Sequence, residues 1–288
     1  EHRDTLRTRL NIANCLLYMG KRNEASSELA ELDQVRKGGA ELHDSDRHTI
    51  LTWLATQKIH AGQTDDAIAV LDEVARIRSV QFGEHHPRTL DSLSNLAMMY
   101  EMSGRDEEAL PIYQRLVSGR SARLGEHHAD TSTAKRLLAI CYHRLGRCEP
   151  EIPLWRDLVN TTRDVQPSDP TRLGRYQLYL GSALVSQSRY DEALSILQEC
   201  CDWYRQERPQ TIHRWEAQYL LGVCHLAGST PEQGEQLLID ACEAIQPRLL
   251  TDSHEELARL AIRIIEALVQ HFEQSGKTGE AEIWRNML

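Results

Sequence analysis

Apolar residues along this chain recur at helical rather than strand spacing. Counted from Ala67 and Ala109 they fall one, four, seven and eight places on, as Ile68, Leu71, Val74, Ala75 and Leu110, Tyr113, Leu116, Val117. The same columns hold Ile152, Trp155, Leu158, Val159 and then Leu194, Leu197, Cys200, Cys201. Such a stripe covers one face of a helix and leaves the others to polar side chains. Upstream runs a second column, of small residues: Ala13, Ala55, Ala97, Ala139, Gly181 and Gly222, broken by Val269. Each follows an aliphatic one: Ile12, Leu54, Leu96, Leu138, Leu180, Leu221 and Leu268. A small side chain beside a large one lets two helices approach closely, so the two columns predict a helix, a short turn and a packed second helix.

The punctuation repeats as well. Gly20 with Ala25, Gly62 with Ala67 and Gly104 with Ala109 are spaced 42 residues apart. The beat continues as Gly146 with Glu151, Ser188 with Ala193, then loosely as Ser229 with Gly234 and Gly276 with Ala281. Between units lie FGEHHPRT (82–89), LGEHHADT (124–131) and breaks at 37–46 with Gly38 and Gly39, 165–171 with Pro167 and Pro170, 208–211 and 247–253. Asp or Glu near each second helix start suits the dipole there. A unit this short cannot bury a core alone, so neighbours must stack. The pattern predicts one all-α domain over 1–288, a solenoid of about seven helix-turn-helix repeats. Their approximate bounds are 3–42, 45–83, 87–125, 129–165, 170–207, 210–248 and 253–288. Glu151 and Ser188 are expected at exposed turns, and Pro111 and Pro153 are expected to kink their helices without stopping them.

A small residue in the first helix, Gly at the turn and Ala in the second helix form the tetratricopeptide pattern. The 42-residue spacing, the stretch SNLAMMYEMSGRDEEALPIYQRLV (94–117) and the GEHHP linker resemble the tetratricopeptide domain of kinesin light chain and its bacterial relatives. The likeness is best in units two to four and weakens after Pro167. It implies a right-handed superhelix and a non-enzymatic adaptor that holds a protein or peptide in its concave groove, with a motor-linked or cytoskeletal partner such as a tubulin-like filament as the sharpest reading. Because such arrays are also appended to bacterial serine/threonine kinases, the alternative is a C-terminal sensor or regulatory array of a longer bacterial signalling protein.

The resemblance also implies where the groove lies. Its wall is formed by first-helix side chains one place after the small column, Asn14, Thr56, Met98 and Ser182 among them, and four or five places after it, Tyr18, His60, Glu101, His143 and Arg144. One turn earlier come Arg7, Asp91, Arg136 and Arg175. Arg136, His143, Arg144 and Arg175 are expected to cluster as a basic floor able to fork onto carboxylates.

Composition narrows the classes. Against 33 basic residues stand 43 acidic ones, a net charge of −10 that opposes nucleic-acid binding. The apolar runs are far shorter than the roughly 20 residues a membrane helix needs. The start at Glu1 and His2 has no signal-peptide character and suits a piece of something longer. Seven scattered cysteines without a CxxC pair favour neither a disulfide framework nor a zinc ribbon, and a reducing cytoplasm fits them best. Cys200 and Cys201 are expected as packing residues, and so are Cys15, Cys141 and Cys224, which share one column. Cys148 is expected to be the exposed thiol.

The pairs His85–His86 and His127–His128 sit in equivalent linkers. They read as structural, with a metal-binding protein or metallohydrolase as the alternative from another class. No phosphate loop, HExxH or GxSxG occurs, so neither catalysis nor a cofactor is expected.

Overall fold

Turn chemistry sets the architecture. The computed structural model describes residues 3–38, 44–60, 62–165, 169–249 and 255–287, and among them the chain forms fourteen helices. The first three hairpins pair α1 (Arg3–Tyr18) with α2 (Arg22–Lys37), α3 (Asp44–His60) with α4 (Thr64–Phe82), and α5 (Pro87–Met102) with α6 (Asp106–Leu124). The next pair α7 (Ala129–Arg144) with α8 (Cys148–Val165) and α9 (Pro170–Ser186) with α10 (Tyr190–Glu207). The last two are α11 (Ile212–Ala227) with α12 (Pro231–Leu249) and α13 (Glu255–Gln274) with α14 (Thr278–Arg285). Gly39, Pro167 and the stretch 250–254 lie outside the described residues. Where the sequence predicts a break from Pro247, α12 instead runs through that proline to Leu249. Pro111 and Pro153 likewise sit inside continuous helices.

Within the hairpins, Gly20, Gly62, Gly104, Gly146 and Gly276 hold φ between 67° and 74°. In each the next residue's N–H returns to a carbonyl five residues back, as Arg105 to Tyr100 and Arg147 to Tyr142, which closes the helix with a Schellman turn. Ser188 occupies the same place at φ 55° and is exposed as expected, with Arg189 closing back on Leu184. The sixth turn differs. Helix α11 ends on Gly228 in an extended conformation, and His225 Nδ1 meets Thr230 Oγ1 at 2.7 Å, which accounts for the loose match of Ser229 to the pattern.

Linkers between hairpins are also built alike. Gly83 (φ 96°) and Gly125 (φ 92°) end α4 and α6, and Thr89 and Thr131 each donate a hydroxyl back to those glycine carbonyls at 2.9 Å. His86 Nδ1 accepts from the Arg88 N–H, and His128 Nδ1 accepts from the Asp130 N–H, at 3.2 and 3.1 Å. One histidine of each pair therefore caps a helix start.

Ala13, Ala55, Ala97 and Ala139 are all buried, and so are Gly181 and Gly222. A Cβ on Gly181 would lie 2.3 Å from Leu197 Cδ2, so its hairpin closes through that missing methyl. The aliphatic column is buried from the third hairpin on, but Leu54 is half-buried and Ile12 is 49% exposed. Later first helices pack on the preceding hairpin, as α5 does on α4 and α9 on α8, whereas α1 packs on α2 and lightly on α3.

Three further expectations are corrected. Glu151, expected at an exposed turn, is 0% exposed, because its column faces the partner helix rather than solvent. Cys15 is exposed although Cys141 and Cys224 in its column are buried, and Cys148 is half-buried. Cys200 and Cys201 are fully buried as packing residues, and burial pushes both thiols up.

By its internal contacts the chain divides into two units, Glu1–Cys141 and Tyr142–Leu288. The first includes a core of Leu6, Leu10, Ala13, Leu29, Leu32 and Ile50, and the second a core from α11 to α14 centred on Leu238, Ile245, Ile264 and Leu268.

Candidate functional site

The odd-numbered helices present the side chains that the sequence assigned to a groove. In the first unit, Arg7, Thr56 and Asp91 are exposed, Met98 is 51% exposed and Tyr18 94%. Asn14 and Arg136 are half-buried. Glu101 is half-buried too and accepts a 2.5 Å hydrogen bond from the Tyr113 hydroxyl. The side chain of His60 lies outside the described residues. This face is largely apolar at its tips, where Met19 and Met102 join Tyr18 and Met98.

The second unit holds a cavity of about 330 Å³. Helix spacing brings its walls together. From α9 come Leu178, Tyr179 and Ser182, and from α11 come Ile212, His213 and Glu216. A single face of α13 adds Glu256, Arg259, Leu260 and Arg263, and the last turn of α7 adds His143. Of the expected residues, His143 and Ser182 line it. Arg144 and Arg175 are exposed and stand outside its lining, and the arginines of its mixed-charge wall come from α13.

Several of these groups are only partly spent within the protein. Tyr179 stacks on buried Trp155, with ring centroids 4.7 Å apart at 13°. The Arg263 guanidinium lies 4.7 Å over the Tyr219 ring, a cation–π placement that leaves its N–H edge open. Arg259 pairs with Glu255. Among the described residues Glu216, Glu256, Ser182 and Arg263 form no side-chain hydrogen bond or ion pair.

Behind the cavity wall sits Glu151. Its Oε1 is 3.3 Å from His143 Nδ1, and its Oε2 is buried without a hydrogen-bond partner. The hydrogen bond to Glu151 raises the His143 pKa above the usual histidine value, against opposing burial; Glu216 adds to the rise and Arg263 subtracts from it. Burial and then the nearby Glu151 charge push the Cys148 thiol up, so it is a poor nucleophile.

Sequence reasoning missed Glu216 and Arg263 although a signal existed. Both stand six places before the small column, at Gly222 and Val269, the place that picked out Arg175 before Gly181. Tyr179 and Arg259 belong to no groove column named from the sequence. Among the described residues no three His, Cys, Asp or Glu side chains are grouped to hold a metal ion.

Fold and surface define a helical-hairpin repeat protein with a cavity of apolar and charged lining between first helices of its second unit. Residues 46–122 match the tetratricopeptide repeat family model. Among solved structures, the kinesin light chain-like, nearly identical TPR-like repeats of Podosopora anserina align at 22% identity over 70% of this chain and 95% of theirs, with a TM-score of 0.57. BtubC (BKLC) from P. vanneervenii aligns at 16% identity over 69% of this chain and 79% of its own, at 0.53. A Signal Transduction ATPase with Numerous Domains carrying a tetratricopeptide repeat sensor, from Pyrococcus horikoshii, aligns at 12% identity and 0.62. That alignment covers 99% of this chain and 42% of the Pyrococcus one. At these identities the likeness is one of fold. No curated protein matches the chain's sequence. None of the described helices is long and apolar enough to cross a membrane.

Proposed function

We propose that this chain is a non-enzymatic scaffold that holds a protein or peptide segment on its first-helix face, with the cavity of the second unit as the focus. The observation that carries the reading is that cavity, where Tyr179, Glu216 and Arg263 converge with donors and acceptors not used inside the protein. An apolar floor with a few convergent polar groups is the usual composition of a recognition site. In the first unit, the exposed Tyr18, Met98 and Met102 add apolar contact area on the first helices. Likeness in fold to the kinesin light chain-like repeats and to BtubC favours a cytoskeletal partner, such as a tubulin-like filament.

The test is capture of partners from a lysate by wild type and by two double variants, with bound proteins identified by mass spectrometry. Arg263→Glu with Tyr179→Ala should lose the partner while helical circular dichroism and melting temperature stay nearly unchanged. Arg136→Glu with Arg144→Glu, outside the cavity, should keep it. Retention by the first variant and loss by the second would move the focus to the α7 surface. Alignment of 99% of this chain with a protein carrying a repeat sensor supports a second reading, an array that regulates an attached signalling domain. The length of the parent gene separates the two.

A further inference from the structure

Glu151 stands where the other hairpins carry Ala25, Ala67, Ala109, Ala193, Gly234 and Ala281, every one of them buried against the first helix. An ionised carboxylate in such a seam is costly unless paired. Its Oε1 meets His143 Nδ1 at 3.3 Å, and Oε2 is buried without a hydrogen-bond partner. His143 has its Nδ1 edge turned to this carboxylate, and its side chain is 44% exposed along the cavity wall. A protonated ring donates from Nδ1 to Glu151 and has Nε2–H left for an occupant.

Three donors then face the cavity without a hydrogen-bond acceptor from the protein: this Nε2–H, the Arg263 guanidinium edge and the Ser182 hydroxyl. Leu178, Ile212 and Leu260 supply apolar wall on either side of them. We infer that the proton held between His143 and Glu151 makes the second unit's cavity a subsite for a single carboxylate flanked by apolar groups, and that loss of the proton releases it. The inference rests on the cavity being the binding focus proposed above.

The charges around His143 set the sign. From α8 it meets Glu151, and Cys148 close by has its thiol pushed up by burial and so stays neutral. From α11 it meets Glu216, with His213 on the same wall, and from α13 Arg263, with Glu256 and the Glu255-paired Arg259 beyond. Helix α9 contributes only Ser182 and Tyr179 from its polar side. With the proton gone, Glu216 and Glu256 face an anion with one cation fewer against them, and a second negative charge on the ligand is disfavoured at any pH.

The experiment uses the full chain and the capped tripeptide acetyl-Leu-Glu-Leu-amide, with its Gln counterpart as control. Glu151→Ala is the informative variant because alanine is the residue most hairpins carry there, so the seam accommodates it; Glu151→Gln is the isosteric companion. By NMR, the His143 ring should titrate at higher pH in wild type than in either variant. Wild type should bind the Glu peptide roughly tenfold more tightly at pH 6 than at pH 8.5, a typical size for coupling between sites. The variants should show little pH dependence, and the Gln peptide should bind weakly throughout.

A His143 midpoint unchanged by Glu151→Ala, a pH-independent affinity, or no binding of the Glu peptide at either pH would overturn the inference. Running partner capture at both pH values separates the two failures. Capture that ignores pH while still depending on Arg263 and Tyr179 sinks the proton link alone. Capture indifferent to Arg263 and Tyr179 sinks the cavity reading itself.

Discussion

Ser188 is the one described non-glycine residue at positive φ, and it holds 55° at a turn where five other hairpins use glycine. Side chains other than glycine resist that region, so the turn is formed against a local cost. Ser188→Gly should therefore stabilise the chain by roughly 0.5–1 kcal/mol, measured by denaturant unfolding, the gain limited by the greater chain entropy of glycine. The sequence showed both this departure and Glu151, but it placed Glu151 at an exposed turn, where the fold buries it. Both break the Gly-to-Ala signature, yet Ser188 faces solvent and Glu151 does not.

The sign of the Glu151 effect follows from His143, whose pKa is raised in the fold by that carboxylate. A raised histidine contributes its stability fully below the unfolded value, about 6.5, and loses it as pH rises through the folded value. Wild type should thus lose stability relative to Glu151→Ala as pH rises above neutrality. Melting temperatures of the two proteins from pH 5.5 to 9 check it, and parallel curves would remove the pair's contribution.

At the level of elements, the seam within each hairpin decides how closely its helices cross. The first three hairpins put alanine in both columns, but the α11–α12 hairpin uses Gly222 and Gly234. A Cβ on Gly234 would sit 2.6 Å from the Gly222 carbonyl oxygen and 2.7 Å from the Leu226 nitrogen. Those are backbone atoms of α11, which cannot swing aside as a leucine tip can. Gly234→Ala should cost about 1–3 kcal/mol by overpacking, read from urea unfolding. In α5, Ala97→Leu should cost a similar amount for the same reason. The columns themselves were legible because helix periodicity is local. The linkers were legible as breaks, but their chemistry was not: His86 and His128 invited a metal reading until their Nδ1 atoms were found accepting helix-start N–H groups.

Across the whole chain, a repeat protein transmits stability mainly between neighbouring hairpins. Gly234→Ala should accordingly weaken hydrogen-exchange protection in α11 to α14 far more than in α1 to α5, since the altered crossing lies in the Tyr142–Leu288 unit. Equal loss in both units would mean the chain opens as one cooperative body. Electrostatic trim between consecutive second helices is repetitive too: Arg156 reaches Glu192 at 2.8 Å and Arg163 reaches Glu199 at 2.7 Å. Both pairs are exposed, and each is worth at most about 1 kcal/mol.

The amino-acid order alone determined the hairpins, their register and their turns, because apolar period, positive-φ glycines and capping residues act within a few neighbours along the chain. Only the tertiary structure decided which charges share a cavity and which carboxylate is sealed away. Tyr179, Glu216 and Arg263 come from three helices and His143 from a fourth, and Glu151 is buried only because the partner helix covers its column. Burial and charge pairing depend on what packs from outside an element, which no single stretch of sequence contains.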